Sequence, residues 1–490
     1  MNKISLDVLF STLFAILAVL FNFWLIKEAE LYLPTALLGV FMLIRRLAPT
    51  FSNLNQLGCS QALTRFMSLN RDDEGKIRNY YFISLAIWLI SNVIMLFLYI
   101  TLKEPIGRLL LPKVYGRDTY LALTFVYISI LHLSYVVQPY FLNIRNILMY
   151  NVSNMMNASL IMLAVFMVLG NSENLIEVLG TSLLVMGALQ LIFLGYIVIK
   201  LKLYNLSSKG TLRTERNSFL TYGLPRAGMT FFEMFMLTVG SLLVKEEQEV
   251  VGSFLIAITL ARVVLIVLQP ISRLSSVIVG HDNETDKPRR TLNLLFGGVI
   301  YSSTLVIIVL FNWIDILIRF WLTKENMIVD VISVFKILVF GLLPYCIFQG
   351  LKGYIEIRYF KPVNLFTIVM ATLVHVFLFY VCQQFYTTLS ALAISLMVAF
   401  ISMGLSSYYW CRKDINGQGY FKFIYFFTVT FLLFMINHFL NLYLTNLLGF
   451  AIALMITMFG FFAFILYGKI PFVKDVLATF GVNFLKRFIK

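Results

Sequence analysis

Charge is what this sequence is short of. Asp, Glu, Lys and Arg make up 13% of its 490 residues, about half the share a soluble chain carries. A chain so poor in charge lacks the polar surface to fold alone in water. Cysteine is scarce too. Cys59, Cys346, Cys382 and Cys411 show no CxxC spacing, so neither a disulfide framework nor a thiolate metal site organises the chain. They read as small apolar packing residues.

Catalytic signatures are missing as well. There is no GxxxxGK[ST] phosphate loop, no GxGxxG, no HExxH and no GxSxG, and nothing calls for a cofactor. Asp72 and Asp73 adjoin, but inside a basic connection, RDDEGKIR. Of four histidines, His132, His375 and His438 stand singly in separate apolar runs and His281 opens a connection.

What is present is apolar length. Hydrophobic residues make up 60% of the chain, in runs of about 20 residues, each enough to cross about 30 Å of hydrocarbon. Fourteen spans are predicted, at roughly 6–26, 33–53, 79–101, 119–141, 150–170, 178–199, 219–244, 250–279, 292–314, 331–350, 363–382, 388–410, 420–442 and 446–468. The first run lacks a small-residue cleavage site and is read as a retained span.

The net charge of +15 does not point to nucleic acid, because it is spread over short connections. With the N-terminus in the cytoplasm, inside segments hold 24 Lys and Arg, outside loops 8, and spans 7. That asymmetry places both termini in the cytoplasm. The loop 102–118 runs against it, with Lys103, Arg108, Lys113 and Arg117 outside. Connections of at most about 26 residues leave no room for a folded soluble domain, which argues against a membrane glycosyltransferase or polymerase working on its outer loops.

Two stretches echo each other. LIKEAELYLPTALLGVFMLIRRLAPTFS covers residues 25–52, and LVKEEQEVVGSFLIAITLARVVLIVLQPIS covers 243–272. Each reads as a helix ending in Lys-Glu, a short acidic turn, and a second helix with a central Arg and a late Leu-x-Pro. The pattern implies an all-α polytopic membrane protein of about fourteen transmembrane helices, two six-helix bundles related by an internal repeat plus two C-terminal helices. The halves fall at 1–205 and 206–412, the extra pair at 413–468. The tail 469–490, with Lys474, Lys486, Arg487 and Lys490 among apolar positions, reads as a basic amphipathic helix on the anionic leaflet. Paired six-span halves are a transporter pattern with the substrate site at their interface.

Three segments resemble a family. LGCSQALTRFMS looks like the cytoplasmic end of the second span of polysaccharide exporters, YGLPRAGMTFFEMFMLTVGSLLV like their seventh span, and VVGSFLIAITLARVVLIVLQPIS like their eighth. The chain thus resembles the O-antigen-type oligosaccharide flippases of the multidrug/oligosaccharidyl-lipid/polysaccharide (MOP) exporter superfamily. The resemblance implies transport of an undecaprenyl-diphosphate-linked oligosaccharide across the bacterial inner membrane. It also implies membrane lipids, a polysaccharide polymerase and assembly proteins as partners.

Apart from Lys422 at the very start of a span, six basic residues lie within predicted spans: Arg45, Arg46, Arg226, Arg262, Arg273 and Lys336. A charge at mid-membrane costs at least about 2.5–3.5 kcal/mol, so these positions call for a reason. For such a flippase, guanidinium groups replace the lost hydration of a diphosphate with bidentate hydrogen bonds. Arg45 and Arg46 differ by about 100° on a helix, so one is expected in a cavity and the other against a neighbouring helix or carbonyls. Arg262 and one of that pair are the expected headgroup ligands. Arg273 and Lys336 have snorkelling to the interface as their alternative. Glu233, on one face with Arg226, is either a coupling group or its ion-pair partner. A cation-coupled drug or metabolite antiporter is the alternative function; its expected first-span carboxylate is represented only by Asp7.

Overall fold

The computed structural model describes residues 3–70, 72–111, 114, 116–144, 146–169, 174–203, 209–265, 287–359, 362–415, 423–444 and 446–467. Among the described residues there are fifteen helices and no strand. They are α1 (Lys3–Tyr32), α2 (Thr35–Asn55), α3 (Cys59–Leu69), α4 (Glu74–Leu110), α5 (Arg117–Asn143), α6 (Ile147–Leu169), α7 (Leu175–Leu201) and α8 (Lys209–Leu243). There follow α9 (Gln248–Ala261), α10 (Lys287–Trp321), α11 (Glu325–Arg358), α12 (Val363–Cys382), α13 (Thr388–Cys411), α14 (Phe423–Tyr443) and α15 (Leu447–Tyr467). This is an all-α polytopic membrane protein. Thirteen of the fourteen expected spans fall on helices, and the short α3 is the extra helix. Of the eighth, 250–279, α9 covers residues 250–261, and residues 266–279 lie outside the described ones. Among the described residues, nine helices are long and apolar enough to cross a membrane. The tail 469–490, Arg273 and Pro270 lie outside the described residues.

Helices prevail because hydrocarbon cannot hydrogen-bond a free backbone group. Hydroxyls inside the spans follow the same logic. Thr50, Ser84, Thr124 and Ser182 each donate to the carbonyl one turn back.

The helices group into two compact units, residues 1–255 and 256–490. In the first, α5 is central, packed on α2, α3, α4, α6 and α7, while α8 lies along α2 and α3. Two glycines set the approach of α2 to the chain around α8. A Cβ on Gly39 would meet the Gln248 carbonyl oxygen, and one on Gly58, whose φ is +77°, would lie 2.1 Å from that of Gly223. In the second unit, α11 and α13 pack at backbone distance, with Gly404 against the Pro344 carbonyl and Tyr345 stacked on Phe400 at 4.3 Å. There α10 meets α14 and α15 through Trp313, Asn437 and Thr457.

One local reading changes. Lys27 and Glu28 do not end a helix; α1 runs on through the acidic stretch to Tyr32 and buries Glu30 completely. In the echoing stretch, Lys245 and Glu246 do sit in a turn, after α8 has ended at Leu243. Pro34, just ahead of α2, makes the first break abrupt: it constrains the residue before it away from helix and suits a helix start itself.

Candidate functional site

Arg45 lies at the middle of α2, about 15 Å from either end. Its Nη2 donates to Asn22 Oδ1 on α1 at 2.6 Å and to the Ala158 carbonyl on α6 at 3.1 Å. The Phe41 ring lies 5.4 Å from the guanidinium carbon. Ala158 is able to accept because α6 opens into a π-turn over Met156–Leu160, with the Ile161 N–H reaching back to the Met156 carbonyl. Such wide turns redirect carbonyls away from the regular ladder. Ser159, in the same turn, donates to the Ala18 carbonyl of α1. Arg45 is therefore tied to two neighbouring helices, through a side-chain amide and a backbone carbonyl.

Arg46 is half-buried on a different face of α2. One turn on, Thr50 Oγ1 meets Thr238 Oγ1 of α8 at 3.0 Å. Pro49 lies inside the helix and, having no N–H, leaves the Arg45 carbonyl without its regular donor.

Arg262 sits where the eighth span breaks. Helix α9 ends at Ala261, Arg262 and Val263 form a turn, and the Leu265 N–H returns to the Arg262 carbonyl at 3.0 Å. Its Nε is buried and hydrogen-bonds to no described residue. Irregular backbone at membrane depth is tolerated where it is buried in protein or lines a water-filled cavity. The Arg262 guanidinium is half-buried at this break, and its unpartnered Nε is a feature it shares with Arg45.

Arg226, on α8, turns away from Glu233. Its Nη1 donates to the Tyr222 carbonyl at 3.1 Å and its guanidinium stacks on the Tyr222 ring at 3.7 Å. Glu233 is half-buried further along α8, level with the Phe51–Phe231 contact between α2 and α8. Lys336, on α11, is engaged by Asp315 of α10 at 2.8 Å.

Reading the sequence for basic residues alone missed their partners. Asp315 was legible as an acid in an apolar run, FNWIDILIRF, and a search for acids as well as bases would have found it. Asn22 carried the weaker signal of an amide within the first span. The π-turn had no sequence signal.

Isolated histidines have local partners. His132 Nδ1 meets Asn55 and Ser91 at 3.1 and 3.3 Å, and His375 Nδ1 meets Ser395 at 2.9 Å. The four cysteines are free, and among the described residues no group of His, Cys, Asp and Glu could hold a metal. The basic stretch 102–118, which spans the end of α4 and the start of α5, carries its own acids: Lys103 pairs with Asp118, Arg108 with Glu104, and Arg117 with both acids.

Comparison with solved structures places this architecture. A lipid II flippase, MurJ, in an inward closed conformation superposes with a TM-score of 0.66 over 96% of this chain and 99% of its own, at 15% identity. The fold is that of the MOP-superfamily transporters. An inward-facing multidrug MATE transporter of that superfamily gives a TM-score of 0.60 at 16% identity, over 82% of this chain and 95% of its own. A MOP-superfamily transporter from Pyrococcus furiosus gives 0.58 at 17%, over 84% and 95%. No family model and no curated protein matches the sequence.

Proposed function

We propose that the protein is a flippase for an undecaprenyl-diphosphate-linked oligosaccharide, working by alternating access in the bacterial inner membrane and serving O-antigen- or capsule-type polysaccharide assembly. The observation that carries this reading is Arg262, a mid-span guanidinium with an unused buried donor at a helix break. An anionic headgroup crossing the bilayer loses its hydration, and guanidinium groups replace it with paired, charge-assisted hydrogen bonds. Arg46, on α2, is proposed as a phosphate ligand in its own right, while Arg45 ties α1, α2 and α6 together. Coverage supports the reading too. The flippase matches 96% of this chain, whereas the MATE neighbours match 82–84% while using at least 95% of themselves.

Arg226 and, by its sequence position alone, Arg273 are proposed as further cations for the anionic substrate. Lys336 holds α10 to α11, and Glu233 couples transport to an ion gradient. Both termini are assigned to the cytoplasm by the charge asymmetry of the connections.

The test is reconstitution. Wild-type protein in liposomes should move a fluorescent lipid-linked oligosaccharide between leaflets, and Arg262→Ala should not. Equal rates in protein-free liposomes and in those carrying the wild type would sink the reading.

A second reading, a cation-coupled antiporter of drugs or metabolites, has one observation in its favour. Glu30 is a fully buried carboxylate in the last turn of the first helix. It predicts proton- or sodium-driven export of organic cations that Glu30→Gln abolishes.

A further inference from the structure

Two arginines share one tyrosine ring at the corner where α3 meets α8. The guanidinium carbons of Arg65, on α3, and Arg226, on α8, lie 4.6 and 3.7 Å from the Tyr222 centroid, so they are no more than about 8 Å apart. Neither forms an ion pair with any described carboxylate, and the Tyr222 hydroxyl has no described hydrogen-bond partner. Arg65 is exposed and Arg226 half-buried. Like charges this close repel unless something answers them, and the ring quadrupole answers only part.

The corner is built rigidly. Leu57 and Gly58 both take positive φ, at 48° and 77°, which turns the chain sharply from α2 into α3. The turn seats against the Gly223 backbone, next to Tyr222. Behind it, Phe66 stacks on Tyr80 and Phe219 at 4.9 and 6.1 Å and meets Tyr222 edge-on at 5.9 Å. That wall fixes the ring and, through it, both cations. Glu215, one turn before Phe219 on α8, is engaged by the Asn79 side chain over on α4.

We propose that Arg65, Arg226 and Tyr222 form a diphosphate-binding clasp that receives the substrate headgroup at the membrane surface before it reaches the mid-span arginines. The inference rests on the flippase reading for its substrate and on this geometry for its site. Two planar forks on either part of one ring suit two adjacent phosphates, each fork taking a pair of oxygens. The α2–α3 and α7–α8 connections lie on the side that the charge asymmetry assigns to the cytoplasm, where a newly made lipid-linked sugar is presented.

Arginine modification tests this at the residues themselves. Full-length protein in nanodiscs of zwitterionic lipid is reacted with phenylglyoxal, and modification of Arg65 and Arg226 is read by peptide mass spectrometry. One arm contains inorganic pyrophosphate, the other farnesyl diphosphate. Protection of both arginines by at least about five-fold is expected with farnesyl diphosphate, and Arg65→Ala should leave Arg226 protected by less than about two-fold. Arg65→Lys, which keeps the charge but not the fork, should fall in between. Protection by both compounds assigns the site to the diphosphate itself, and protection by farnesyl diphosphate alone assigns it to a lipid-borne one. No protection in either arm, or full protection of Arg226 in Arg65→Ala, overturns the clasp. Protection in a wild-type protein that moves no lipid-linked oligosaccharide keeps the clasp and overturns the flippase reading.

Discussion

Lys336 Nζ lies 2.8 Å from Asp315 Oδ2, an ion pair that ties α11 to α10 within the span. Both side chains are 42% exposed, so the pair is not sealed and its strength is that of an interhelical polar contact. Removing either charge leaves the other without a partner at membrane depth. Lys336→Met and Asp315→Leu should each lower membrane abundance, and the double variant should recover it. The double-mutant cycle should give a coupling of about 1–2 kcal/mol, measured by denaturation in detergent. A double variant no better than the singles would remove the pair as a structural link.

Arg45 should behave as a structural position. Truncation leaves Asn22 Oδ1 and the Ala158 carbonyl without their shared donor, so Arg45→Ala should lower stability by about 1–3 kcal/mol. Asn22→Ala should show part of the same loss. Thermal unfolding of the purified variants is the measurement, and an unchanged midpoint for Arg45→Ala would break the assignment.

Arg262 should behave in the opposite way. Its Nε has no described partner to strand, and removing a mid-span charge lowers the cost of insertion. Arg262→Ala should accumulate normally while transport falls about 10- to 100-fold, the worth of one or two charge-assisted hydrogen bonds. Lysine should rescue poorly because it lacks the planar fork. Complementation of glycan export, read against protein level, separates the two effects.

Gly58 should tolerate no side chain. A Cβ there would come within 2.1 Å of the Gly223 carbonyl oxygen, and φ of +77° disfavours any L-residue. Gly58→Ala should cost at least about 1–2 kcal/mol. It should also weaken diphosphate protection of Arg65, since the corner positions α3. Normal stability together with normal protection would show that the corner can relax.

Glu215 gives a pH signature. Burial pushes its carboxyl pKa up, against hydrogen bonding from Asn79 and the nearby Lys76 charge, and its Oε2 has no described partner. The folded state therefore binds the proton more tightly than the unfolded chain. Stability should fall as pH rises from the ordinary carboxylate range through the raised folded value. Glu215→Gln should stabilise the protein at neutral pH and lose that advantage in acid. Unfolding midpoints of both proteins across pH 4 to 8 are the check; parallel curves would mean that Glu215 is not desolvated.

The sequence by itself determined the class of this protein and the number of its long helices. Charge scarcity excludes a water-exposed fold, and apolar runs of membrane length must be helical because hydrocarbon offers backbone groups no partner. It also singled out the basic residues, since a charge within an apolar run is costly wherever the chain goes. Tertiary structure alone decided what each charge meets. Arg45 and Arg46 are neighbours of one type, and only the placement of Asn22 and a π-turn distinguishes them. Arg226 and Glu233 share a helical face, yet a tyrosine on the arginine's own helix takes its guanidinium. Arg65 lies in a connection between predicted spans, and the Leu57–Gly58 corner brings it to the same ring. Hydropathy depends on composition along the chain, so it is local and legible. A side chain's partner depends on which helices lie side by side and at what register, and that follows from backbone contacts such as Gly39 on Gln248 and Gly58 on Gly223.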